Sequence, residues 1–118
     1  MGTIRVVRAG EHEGLAWQEV PRPAGDTAPP GEEVATFRSA DGRFVTGLWR
    51  RAPEEGRMEL DGYHEIALIL EGEVQVTDDD GTVHLVGPGD MLITPRGTRA
   101  TWKSLSPVKK VWAIYTAD

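Results

Sequence analysis

The chain has 118 residues, 13 Lys and Arg against 19 Asp and Glu, a net charge of −6 and no cysteine. That length fits one domain with a core of its own, and the lack of cysteine excludes disulfides and thiolate chemistry and agrees with a reducing compartment. An acidic surface without a basic stripe argues against nucleic acid as a partner. With no run apolar enough for a signal peptide or a membrane span, the expectation is a cytoplasmic protein with no membrane partner.

Glycine (14) and proline (8) are frequent, and the apolar positions favour Val, Ile, Leu and Trp. Such a composition makes short strands joined by tight turns. Ile4 to Val7 and Leu15 to Trp17 are β-like runs. Residues 21 to 31 hold four prolines and two glycines, which rules out a helix or a central strand. Residues 1–31 are therefore read as an arm and connector, packed on the barrel or on a second subunit. Residues 32–118 form the domain.

From residue 33 the pattern is strand, turn, strand. Val34 to Ser39 and Phe44 to Arg50 make a hairpin about Asp41 and Gly42, a pair that accepts the positive φ of a tight turn. Tyr63 to Leu70 and Glu73 to Thr77 read as a second pair meeting at Glu71 and Gly72. Asp78 to Gly81 turns into Thr82 to Val86, and its three aspartates are read as a solvated hairpin tip. Gly87 to Asp90 is a further turn. Met91 to Thr94, Thr98 to Ser104 and Val108 to Tyr115 complete the strands. No segment after residue 33 sustains a helical period. Short strands at this spacing predict an all-β sandwich or barrel.

Two stretches resemble the paired motifs of the cupin superfamily. Glu65 and Gly72 are separated by six residues, and Gly89, Pro95 and Gly97 have the spacing glycine, five residues, proline, one residue, glycine. Gly47, Trp49, Trp102 and Pro107 to Lys110 extend the similarity. They look like the subfamily that contains ureidoglycine aminohydrolase cupin domains and ethanolamine-utilisation Q-type proteins. The resemblance covers roughly residues 33 to 116. It implies a single-domain, RmlC-like jelly roll, the double-stranded β-helix of cupins.

Typical cupins hold a divalent metal with two histidines and a glutamate from the first motif and a histidine from the second. Here the second-motif position is Ala100, and the first-motif histidines are missing. One alignment puts Met58 and Leu60 in their place; the other puts Glu59 and Asp61 there. Strand neighbours face opposite sides, so a barrel interior would take Met58 and Leu60, with Gly62 as a bulge restoring Glu65 to the inner face. This reading favours an apolar lining and no tight metal site. Against it, ureidoglycine aminohydrolase has ligands spaced like Glu59, Asp61 and Glu65. Three carboxylates would suit a hard ion such as Mn²⁺ or Mg²⁺ better than zinc. The resemblance leaves Mn, Fe, Ni or Zn as the metals to look for. His64, next to Glu65, is expected on the outer face. His12 and His84 are assigned no chemistry.

Within an apolar interior, desolvation would raise the Glu65 pKa and fit it for hydrogen bonding or acid–base work. In the bland alternative Glu65 is tied to a backbone group or to an Arg or Tyr, Tyr63 being at hand. Trp49 and Trp102 fill the core or wall a pocket for a small, flat or amide-bearing ligand. The expected ligand-binding set is thus Trp49, Met58, Leu60, Tyr63, Glu65, Ala100 and Trp102. Three readings follow. One is a barrel binding a small polar metabolite; the second is metal-assisted hydrolysis or isomerisation of a small nitrogenous metabolite, with Glu65 catalytic. The third is a structural accessory subunit of a metabolic pathway. The resemblance implies a homodimer, since small cupins commonly pair through outer sheets, and Tyr63 to Leu70, apolar on both faces, fits a strand covered on both sides.

Overall fold

A computed structural model of the protein describes residues 2–21 and 30–116. The strands, in chain order, are β1 (Gln18–Glu19), β2 (Glu32–Arg38), β3 (Phe44–Arg51), β4 (Glu55–Glu59), β5 (Tyr63–Glu71), β6 (Val74–Asp78), β7 (Val83–Val86), β8 (Met91–Thr94), β9 (Arg99–Ser104) and β10 (Val108–Thr116). One sheet has the order β1-β2-β3-β10-β5-β8 and the other β4-β9-β6-β7. Every pairing is antiparallel. Two facing antiparallel sheets with crossing connections are the jelly-roll barrel that the motif resemblance implies, within the sandwich or barrel class that the strand spacing predicts.

Alternation along the strands decides what enters the barrel. On β5 the buried or half-buried Tyr63, Glu65, Ala67 and Ile69 share one side. Register carries that side to Lys110, Trp112 and Ile114 on β10 and to Gly47 and Trp49 on β3. From the other sheet come Val74, Val76, Val86, Ala100 and Trp102, and these close on Ile69 and Val108 as the buried core. Trp49, Met58 and Leu92 pack against its edge.

Several expectations are corrected. Tyr63 to Leu70 and Glu73 to Thr77 are not a hairpin: β5 lies in one sheet and β6 in the other, so Glu71 and Gly72 carry the chain across the barrel. Gly72 has φ +89°, and a Cβ there would collide with the Pro107 carbonyl oxygen. The same dipeptide chemistry serves a hairpin or a crossover, and only pairing partners tell them apart. Gly62 (φ +88°) is likewise not a bulge. It sits between β4 and β5, where the chain changes sheets. The Asp41–Gly42 and Asp78–Gly81 turns do join paired strands, β2 to β3 and β6 to β7.

The N-terminal segment departs most from its sequence pattern. Ile4 to Val7 is not a strand, and Ala9–Gly14 is a short 3-10 helix that periodicity does not predict. The strand expected at Leu15 to Trp17 falls at Gln18–Glu19, paired to β2. The Arg50 guanidinium lies 3.9 Å from the Trp17 ring centroid and 3.0 Å from Glu13, which holds this segment against β3. Residues 22–29 of the Pro/Gly connector lie outside the described residues.

Candidate functional site

The site is assembled where β3, β5 and β10 of one sheet face β4 and β9 of the other. Glu65 enters because it shares strand parity with the buried Ala67 and Ile69. Lys110 enters because it shares strand parity with Trp112 and Ile114, which places it opposite Ile69 on β5 and Trp49 on β3. The two meet: Lys110 Nζ donates to Glu65 Oε2 at 3.0 Å, with side-chain exposures of 13% and 14%. Trp49 and Trp102 stand edge to face, centroids 5.8 Å apart and planes at 88°. The Lys110 ammonium lies 4.9 Å from the Trp49 ring centroid and 5.0 Å from that of Trp102. A cation over two aromatic faces is attracted by both ring quadrupoles.

These groups line a cavity of about 300 Å³ that Met58, Leu60 and Tyr63 also wall. Glu54, Arg57 and Glu59 complete its lining. The Tyr63 hydroxyl has no hydrogen-bond partner among the described residues. Burial, then the negative charges of Glu65 and Asp61, raise its pKa above the ordinary value of 10.0, so the phenol stays protonated at neutral pH. The indole Nε1–H of Trp102 is buried and has no partner among the described residues.

The expected residues fall as follows. Met58 and Leu60 face the cavity, and Ala100 is fully buried opposite Met58 on the paired β9. Glu59 and Asp61 are exposed and engaged by Arg99, at 3.5 and 2.8 Å, with Arg57 also 3.6 Å from Glu59. Hydrogen bonding to Asp61 is the first cause of a raised Arg99 pKa. The partner of Glu65 is neither Tyr63 nor an arginine. It is Lys110, and the carboxyl therefore sits in an ion pair rather than in the apolar surroundings expected. His64 lies outside, its ring stacked on Tyr115 and its Nδ1 accepting the Arg96 backbone N–H at 2.9 Å. The tip aspartates are engaged locally: Asp79 with Arg57, Asp80 with the Thr82 N–H and Asp78 with His84.

A divalent metal does not fit this donor set. Hard ions need several oxygen or imidazole donors converging. Here Glu65 is taken by an ammonium, Met58 and Ala100 offer no such donor, and Glu59 and Asp61 face the arginines. No group of three His, Cys, Asp or Glu able to hold a metal occurs among the described residues.

Sequence reasoning missed Lys110 as a site residue. Its signal was present, since Val108, Lys110, Trp112 and Ile114 alternate with one charge among apolar residues. Lys109 beside it carries the same charge but has the opposite strand parity, across from Glu71 on β5 and Arg50 on β3. A larger cleft of about 640 Å³ opens beside β7 and β8, lined by Leu85, Met91, Ile93, Asp78 and Asp90 among others. It holds neither a buried ion pair nor an aromatic wall, so the smaller cavity is the better candidate.

A sequence model of the EutQ-like cupin domain family matches residues 38–112. No curated protein matches the chain in sequence. Among solved structures, the Schizosaccharomyces pombe Cnp3 cupin domain is 20% identical over 73% of this chain and 64% of its own, with TM-score 0.64. The Clostridium difficile EutQ protein is 18% identical over 80% and 68%, TM-score 0.67. A DUF861 family protein from Thermotoga maritima is 37% identical over 55% and 73%, TM-score 0.52. The first two likenesses show the shared fold alone.

Proposed function

The chain belongs to the EutQ-like cupin domain family, and we propose that it binds a small polar metabolite inside the barrel without a metal. The carrying observation is the Glu65–Lys110 ion pair against a cavity of about 300 Å³ walled by two tryptophans. Apolar walls with a few convergent polar groups are the usual make-up of a small-molecule site. A carboxylate acceptor, an ammonium donor and a free phenol fix an orientation; the indole faces favour a flat body. No step of bond cleavage follows from these residues.

The test is tryptophan emission of the full chain titrated with a panel of small amides, carboxylates and amino acids. A saturable response, lost in Glu65→Gln and reduced in Trp49→Phe, is expected. A chain whose emission and melting temperature respond to none of the panel would overturn the reading.

A second observation favours pairing of two copies. Ile66, Met91 and Ile93 are 44%, 59% and 64% exposed. They sit on the outer face of the paired strands β5 and β8, with Phe44 and Tyr115 exposed farther along that sheet. A contiguous apolar patch on a sheet marks an interaction surface. We propose that this face is the homodimer interface.

A further inference from the structure

Glu65 needs a cation, because a largely buried carboxylate without one is costly. In metal-binding barrels of this class the cation is an ion. Here it is covalent. One carboxylate oxygen at 3.0 Å and two indole rings within about 5 Å, set at 88° to each other, surround the Lys110 ammonium. A carboxylate and two ring faces are the parts of an ammonium-binding box. The same residues are a poor cage for a divalent ion, since they supply a single hard donor group.

We infer that Lys110 is a built-in cation, occupying on Glu65 the place that a metal would hold, and that it presents its remaining N–H groups to a carbonyl or carboxylate oxygen of the ligand. An ammonium has three donors. Among the described residues, its hydrogen-bond acceptor is Glu65 Oε2, at 3.0 Å. The other donors lie beside the two indole faces and open on the adjacent cavity, which has room for a ligand oxygen. The acidic and basic lining residues balance closely once the Arg51–Glu54 pair at 2.9 Å is included. The ligand is therefore neutral or zwitterionic rather than a polyanion. The ligand half of this inference rests on the proposed binding function; the cation half does not.

The experiment is chemical rescue. Lys110→Ala of the full chain is titrated with n-propylammonium and, separately, with Mn²⁺, reading tryptophan emission and the urea midpoint. Propylammonium is expected to bind Lys110→Ala saturably, about tenfold or more tighter than wild type or the Lys110→Ala/Glu65→Gln double variant. Mn²⁺ is expected to give no saturable response in wild type. If Lys110→Ala is unfolded alone, recovery of its folding transition by propylammonium is the readout, since a ligand of the folded state stabilises it. Equal propylammonium affinity in variant and wild type, or no recovery of folding, would overturn the inference. So would stoichiometric Mn²⁺ binding to wild type. Rescue in a protein that answers none of the metabolite panel would uphold the cation and sink the ligand reading alone.

Discussion

At the residue scale, Lys110 and Glu65 stand or fall together. Removing one leaves the other charge unpaired in a largely dry place, whereas removing both leaves an apolar barrel. Lys110→Met should cost about 2 kcal/mol in urea denaturation. The Lys110→Met/Glu65→Met double variant should regain most of that loss. Equal loss in the two variants would show that the lysine stem, not its charge, matters. Tyr63 adds a pH signature. Its folded pKa is raised above 10.0 by burial first and by Glu65 and Asp61 next. The stability it contributes is thus whole below pH 10 and is lost as pH rises through the folded pKa. The difference in stability between wild type and Tyr63→Phe should shrink across that range, and phenolate absorbance should show one tyrosine titrating late.

At the element scale, the crossovers matter more than the hairpins. Gly72 combines φ +89° with backbone of Pro107 and Val108 where a side chain would go. Gly97 has φ +91° and open space. Gly97→Ala should cost about 1–2 kcal/mol, from left-handed strain alone. Gly72→Ala adds a collision with backbone that cannot swing away and should cost about 3 kcal/mol or more. Similar losses at the two positions in thermal unfolding would contradict this. The β6–β7 tip is tied to β4 by Asp79 and Arg57 at 2.7 and 2.8 Å. Its hydrogen bond to Arg57 holds the Asp79 pKa below the ordinary 3.8. That contribution is complete above pH 3.8 and fades as pH falls through the folded value. Asp79→Asn should therefore lower stability slightly at neutral pH and converge with wild type as pH falls through the folded value, which flattens the acid limb of the profile.

At the scale of the whole molecule, the two faces of β5 differ in character. The inward face builds the cavity and the outward face, with β8, exposes Ile66 and Ile93 at paired positions. Light scattering should report a dimer at micromolar concentration, and Ile93→Glu should yield a monomer that keeps the ligand response. A wild-type monomer would remove the interface. No helix among the described residues is long and apolar enough to cross a membrane.

The sequence by itself determined the all-β class and most strand positions, and its paired motifs pointed to the barrel. Turn glycines, Asp-Gly pairs and period-two alternation are local, and local rules suffice where backbone conformation is the question. Alternation also sufficed to separate the buried side, with Met58 and Leu60, from the exposed side, with Glu59 and Asp61. Tertiary structure decided which strands pair, so the turn at Gly72 became a crossover. It also decided the partner of Glu65. Lys110 lies 45 positions after Glu65, and the pairing of β5 with β10 brings the two onto one inner face. Alternation marks Lys110 as an inward residue, but which inward residue of another strand it meets depends on pairing between distant strands, and no local pattern records that.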